Sequence, residues 1–261
     1  MDHGLYTAYL GMRSRQRALD VVANNIANAS NNGFKAERVI YQSVEAAEIE
    51  AKVAVLPNKP LTNNPQNFDP TFINSHGKEV GLIASTVSDF SAGTIRQTGQ
   101  PLDIALSGNG MLAVQTNQGE RYTRAGALVI NSDGQLATSS GDLVLGQKGP
   151  ITLPNTEISI SENGIISTTD LEIDKLKIVI FENPTQVLYK EGKNLFATTE
   201  SPKADNTTKI IQYSLEMSNV DTMNEMAAML HNSREFDFLQ RSITTMMNDI
   251  GRKVANELGR I

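Results

Sequence analysis

LYTAYLGMRSRQRALDVVANNIANASNNGFK, residues Leu5 to Lys35, carries a helical seam but too little apolar surface to form a core by itself. Leu5, Met12, Leu19 and Ile26 recur every seven residues, and Ala8, Val22 and Ala29 fall three residues after Leu5, Leu19 and Ile26, the a/d spacing of a coiled-coil stripe. Arg15 breaks the second row. The other faces carry Arg13, Arg17, Asp20 and asparagines at 24, 25, 28, 31 and 32, so this helix needs a partner.

Asparagine is a poor helix former because its amide competes for backbone hydrogen bonds. Asn31, Asn32 and Gly33 read as a helix stop, with Gly33 free to turn left-handed. Asn24, Asn25 and Asn28 lie earlier and admit two readings: a fraying end, or a hydrogen-bonded contact between helices that fixes register at a cost in stability.

A partner seam lies at the other end of the chain. Met229, Phe236, Ile243 and Ile250 step by seven, with Leu239 and Met246 three residues beyond Phe236 and Ile243, inside a helical pattern from Asp221 to Leu258. Asp221 suits an N-cap and Glu225 suits the early turns of the helix dipole. A helix of that length runs on the order of 55 Å and must project. Its methionines, from Met223 to Met247, suit a surface that repacks against several neighbours, although filling gaps is their commoner use.

Between the helices the period changes. AERVIYQSVEAAEIEAKVAVL gives mixed signals, a short strand near Arg38 to Tyr41 and a short helix near Val44 to Val53. PNKPLTNNPQNFDPTFINSHG, with Pro57, Pro60, Pro65 and Pro70, lacks backbone donors and cannot be a central strand; by composition it reads as a disordered linker. From Gly81 the period is two. LIASTV, LDIAL, MLAVQT, ALVI, QLAT, EISI, IIST, LKIVIF and NLFAT are strand-like, separated by turn sequences such as Asn117-Gln118-Gly119, Ser132-Asp133-Gly134, Ser140-Gly141-Asp142 and Glu162-Asn163-Gly164. They predict a domain of antiparallel hairpins over 81–214, with Phe90, Leu112, Val114, Ile178, Ile180, Phe181 and Phe196 as its core. The fold class is therefore α+β: a β-rich central domain with long N- and C-terminal helices that pair in coiled-coil fashion. The expected division is a helix over 1–35, an extended Asn/Pro-rich arm over 36–80, the β domain over 81–214 and a second helix over 215–261.

Composition excludes several functions. The net charge is −6, from 23 basic and 29 acidic residues, which argues against a nucleic-acid or anionic-membrane surface. With no cysteine there is no disulfide, thiolate nucleophile or Cys-based metal site. No run approaches the roughly 18 apolar residues of a membrane span, so no membrane insertion is expected, and the N-terminus lacks a secretory h-region.

LDVVANNIANASNNGFK resembles the N-terminal signature of the bacterial flagellar rod and hook proteins. SGNGMLAVQTNQGERYTRAGALVINSDGQLATSSGDLVLG is similar to that family's central block, GPITLP follows where expected, and YSLEMSNVDTMNEM resembles its hinge into the last helix. Within the family, MDHGLYTAYLG and MLHNSREFDFLQ are most similar to the proximal rod type, with the distal rod type next; a hook relative would carry a large inserted second domain. The resemblance implies a structural subunit of the basal-body rod, exported without a cleaved signal through the flagellar export apparatus and assembled in the periplasm. It implies partners among other rod proteins and copies of itself, and an arm over 36–80 that lies along neighbouring subunits. Leu5, Met12, Leu19, Val22, Asn25, Ile26, Asn28, Gly33, Phe34, Met229, Phe236, Leu239, Ile243, Met246 and Ile250 are the expected subunit-interface residues.

Catalytic readings are weaker. Gly108-Asn109-Gly110-Met111-Leu112-Ala113 matches a dinucleotide fingerprint, but that motif needs a helix opening at its glycines, whereas MLAVQT reads as a strand. His3, His76 and His231 share no metal-ligand spacing. Glu235 and Asp237, two apart on a helix, point away from each other and cannot flank one glycosidic bond. No catalytic residue, metal or cofactor is expected. A monomeric coiled-coil adaptor or adhesin, and a glycan-acting enzyme, remain the alternatives.

Overall fold

The computed structural model describes residues 2–45, 80–154, 158–168, 171–192, 194–205 and 207–258. The proline-rich tract with His76 lies outside the described residues, as does the stretch read as a short helix over Val44 to Val53 apart from Val44 and Glu45, which are strand rather than helix. The chain is α+β, with helices near both ends and a β-rich region between them. It divides into two compact units, one made of residues 1–26, 37–87 and 221–261, the other of 27–36 and 88–220.

The first unit holds α1 (Asp2–Ala27), β1 (Glu37–Glu45), β2 (Val80–Ser88) and α3 (Thr222–Leu258). β1 and β2 pair as a two-stranded sheet. The LIASTV run thus sits in β2, paired with the strand that follows α1. Asp221 caps α3 as its position suggests: Oδ1 accepts the Met223 and Asn224 N–H groups at 3.1 and 3.2 Å.

On α1 the buried residues are Ser14, Ala18, Val21, Val22 and Asn25. These recur as i, i+4, i+7, i+8 and i+11, one helical face. Met12, Leu19 and Ile26 flank that face and are half-buried. The inward face is therefore displaced from the seven-residue row by roughly a third of a turn. Small residues let the helices approach: a Cβ on Gly11 would sit 3.4 Å from Leu239 Cδ1 of α3.

The second unit holds β3 (Ile95–Gln97), β4 (Ile104–Ser107), β5 (Met111–Thr116), β6 (Gly119–Thr123), β7 (Leu128–Ile130), β8 (Leu136–Thr138), β9 (Leu143–Val144), β10 (Ser159–Ile160), β11 (Ile165–Ser167), β12 (Glu172–Lys175) and β13 (Ile178–Ile180). After the one-turn α2 (Pro184–Val187) come β14 (Leu188–Lys190), β15 (Leu195–Thr198), β16 (Lys203–Ala204), β17 (Lys209–Gln212) and β18 (Ser214–Glu216). The main sheet runs β14-β15-β6-β5-β9-β8-β7, with β13 also on β5 and β16 on β13. All these pairings are antiparallel. The four turn sequences quoted above lie at the β5–β6, β7–β8, β8–β9 and β10–β11 connections.

β5 is the centre of this unit because its two faces enter two different cores. Leu112 and Val114 join Ile104, Leu136, Ile166 and Ile210 on one side. Met111 and Ala113 join Tyr122, Phe181 and Phe196 on the other, where the Phe90 ring lies tilted against Phe196, 5.1 Å between centroids. The alternation is the period-two rule acting on a strand buried on both faces. Burying each large side chain stabilises the fold by about 1.5 to 3 kcal/mol before entropy is subtracted. Phe90 and Ile180 are half-buried, and the other expected core residues are buried.

Candidate assembly site

The asparagine-rich end of α1 and the segment entering α3 are brought together twice, once in each unit. In the first unit Asn25 is 1 % exposed. Its Nδ2 donates to the Glu37 carbonyl at 2.8 Å and to Glu225 Oε1 at 3.0 Å, and its Oδ1 accepts the Glu37 N–H at 2.9 Å. One amide therefore ties α1, β1 and the first turn of α3, and both of its polar ends are satisfied. Farther along, Arg15 Nε lies 2.6 Å from Glu235 Oε2, Arg15 donates to Asn232 Oδ1 at 3.3 Å, and His231 Nε2 lies 3.1 Å from Glu235 Oε1.

In the second unit the Gly-Phe-Lys end of the motif meets the Leu-Glu-x-Ser-Asn segment. Lys35, Glu216 and Arg124 are 1 %, 1 % and 4 % exposed. Lys35 Nζ donates to Glu216 Oε1 and to the Ser91 carbonyl, both at 2.7 Å. Glu216 Oε2 forms an ion pair with Arg124 Nε at 2.9 Å, and Oε1 also accepts the Gly93 N–H at 3.0 Å. Arg124 donates onward to the carbonyls of Leu106, Gly108 and Gly110. Burial pushes the Lys35 ammonium below its ordinary range, opposed by its hydrogen bond to Glu216. One carboxylate thus answers two buried cations.

Backbone contacts close the same junction. The Gly33 N–H donates to the Glu216 carbonyl at 2.7 Å. Gly33 has φ +67, and a Cβ there would lie 2.4 Å from the Arg124 carbonyl carbon, so only glycine fits. Asn219 Oδ1 accepts the Ala36 N–H at 2.7 Å, while its Nδ2 donates to the carbonyls of Asp89 and Ser91 and to Ser91 Oγ. Phe34 is 1 % exposed under the Lys190 ammonium, 3.7 Å from the ring centroid.

The sequence-derived interface residues fall into three groups. Val22, Asn25, Gly33 and Phe34 are buried within the chain. Met12, Leu19, Ile26, Asn28, Phe236, Leu239, Ile243 and Ile250 are half-buried, and Met229 and Met246 are exposed. Leu5 lies in α1. Of the earlier asparagines, Asn25 makes the helix-to-helix bond, Asn24 bonds the Glu37 carboxylate at 3.1 Å at the surface, and Asn28 accepts from Asn31 where the helix ends. Lys35, Arg124, Glu216 and Asn219 were missed. Their charges and amide stood in the quoted motifs, but nothing in a linear sequence pairs a lysine with a glutamate 181 positions away.

One feature of α3 goes beyond the seam. Met223, Met226, Leu230 and Phe238 are 80, 48, 63 and 68 % exposed. Met223, Met226 and Leu230 lie on the side of the helix opposite Asn232, Glu235 and Leu239, and Phe238 lies at the edge between the two sides. Gly108-Asn109-Gly110 leads into β5, with no helix to face a pyrophosphate.

Comparison with known proteins identifies the chain. Residues 5–35 match the family described as flagella basal body rod protein, 105–168 the flagellar hook protein FlgE/F/G D1 domain, and 211–252 the flagellar basal body rod FlgEFG protein C-terminal family. The chain is 32 % identical to the flagellar basal-body rod protein FlgG of Borreliella burgdorferi over all of both chains. It is 32 % identical to FlgF of Escherichia coli, covering 99 % of this chain and 98 % of the relative. The flagellar hook protein FlgE of Treponema pallidum, 31 % identical, aligns over 51 % of this chain and 27 % of its own length. Aligned end to end with relatives of that identity, the chain belongs to the flagellar basal-body rod proteins of the FlgF/FlgG type.

Proposed function

We propose that this rod-family chain is a structural, non-catalytic subunit that polymerises through its terminal helices and so helps carry torque from motor to hook. α1 and α3 pair in coiled-coil fashion with each other and with helices of other rod proteins and of further copies. Head-to-tail contacts of this kind allow growth without closure. The chain reaches the periplasmic rod through the flagellar export apparatus. The observation that carries this reading is the exposure of Met223, Met226, Leu230 and Phe238, apolar surface on α3 that the described residues leave uncovered.

The test is complementation of a cell lacking this chain with Phe238→Asp or Phe238→Leu, scored by swimming and by recovery of the chain in purified basal bodies. The reading expects the leucine variant to swim and the aspartate variant to be absent from basal bodies while remaining folded. Wild-type swimming by Phe238→Asp would overturn it. The ties of Asn25 to Glu225 and Arg15 to Glu235 within one chain favour a second reading, a monomeric adaptor whose helices are complete alone. Limited proteolysis of the purified monomer separates the two: cleavage within both helices supports assembly elements that await neighbours, and resistance throughout supports the adaptor.

A further inference from the structure

Nine methionines occur in the chain, and Met223, Met226, Met229, Met246 and Met247 lie on α3. All five are exposed, at 80, 48, 37, 41 and 58 %, whereas Met111 in the second unit's core is 2 % exposed. A thioether is apolar and adapts to a partner's surface, but its sulfur is oxidisable in proportion to its access to solvent. Leucine would supply the same apolar area without that liability. The outward row of α3 therefore carries sulfur where assembly is proposed to need apolar contact.

We infer that the α3 methionines, Met223 first, are a modification site at which peroxide switches the assembly surface off; this rests on the assembly reading above. The thioether sulfur attacks one peroxide oxygen, the O–O bond breaks, and a sulfoxide and water form, the sulfur being oxidised by two electrons as the peroxide is reduced. The product replaces an apolar contact with a strong hydrogen-bond acceptor that a helix-packing surface leaves unsatisfied. A dithiol reductant reverses the change, taking the oxygen off as water and becoming a disulfide. The subunit is sensitive before it is incorporated. Once a neighbour covers α3, the same sulfurs are shielded.

The purified full chain, treated with hydrogen peroxide and mapped by mass spectrometry, is expected to form sulfoxide at Met223 at least about tenfold faster than at Met111. Cells carrying the wild type, a Met223→Leu/Met226→Leu/Met247→Leu triple variant, or the corresponding triple glutamine variant are then scored for new basal bodies with and without a peroxide pulse. The expected result is that the leucine strain assembles through the pulse, the wild type does not, and the glutamine strain fails without it, while its circular dichroism matches wild type. Equal loss in the wild-type and leucine strains, or normal assembly by wild type carrying sulfoxide at Met223, would overturn the inference. Failure of the glutamine strain together with either of those results leaves the assembly reading standing and removes only the redox switch. Normal assembly by the glutamine strain overturns both.

Discussion

The two units use apolar side chains in opposite ways. In the second, β5 buries Met111, Leu112, Ala113 and Val114 in succession, so both faces of the central strand are spent inside one chain. In the first, α3 half-buries Phe236, Leu239 and Ile243 and turns Met223, Leu230 and Phe238 outward. A sheet flanked by two cores can fold from its own residues. A long helix with an uncovered apolar side gains its remaining burial from something outside the chain, since packing rather than propensity supplies most helix stability.

The polar junctions differ in the same sense. Asn25 is a neutral amide whose loss removes a few hydrogen bonds, whereas Glu216 is a carboxylate shared by the buried Lys35 and Arg124. Replacing Glu216 with alanine strands two buried cations and is expected to cost about 3 to 5 kcal/mol, read as a lower denaturation midpoint of the full chain. An unchanged midpoint would show that the cluster contributes nothing net. Gly33→Ala, forced into a positive φ against the Arg124 backbone, is expected to cost more than about 1 kcal/mol in the same measurement.

The comparison is sharpest where stability and assembly separate. Phe236→Asp and Ile26→Asp change half-buried residues of the first unit and are expected to leave the near-ultraviolet signature of the β core intact while abolishing basal-body incorporation and swimming. Loss of the β core in either variant would mean that the two units do not fold independently. Phe238→Asp, at an exposed position, should shift the midpoint by no more than about 0.5 kcal/mol.

The smallest expected effect is a response to acid confined to the second unit. Burial raises the Asp205 carboxyl, but hydrogen bonds from Thr208 and Thr207 outweigh it and hold the group below its ordinary range. A depressed folded value means that the unfolded chain takes up its proton first. The contribution is therefore complete above the ordinary carboxylate range and is lost as pH falls through it toward the folded value. Asp205→Asn should flatten this part of the stability curve at low pH, measured by denaturant titration from neutral to acid; an unchanged slope would remove Asp205 as a source.

Much of this was legible in the order of residues. Period two with turn sequences between the runs located MLAVQT, QLAT, IIST and LKIVIF as strands, and Asp221 marked the start of α3. Those signals are local: a strand's alternation and a cap's side chain act within a few residues of each other. The strands β6, GERYT, and β12, EIDK, were not legible, because their half-buried polar side chains hide the alternation. Along α1, seven-residue spacing identified a helix that needs a partner, but it did not select the inward face. Close approach at Gly11 and burial of Ser14 and Ala18 did that, and both depend on what stands opposite. The sequence alone determined that both ends are helical and that the middle is a sheet; Gly33, read as the helix stop, does turn left-handed, but six residues beyond Ala27, where α1 ends. Only the tertiary structure decided that Lys35 and Arg124 share Glu216, that Asn25 meets Glu225, and which side of α3 stays uncovered, because those outcomes depend on partners brought close by folding across more than 90 residues of chain.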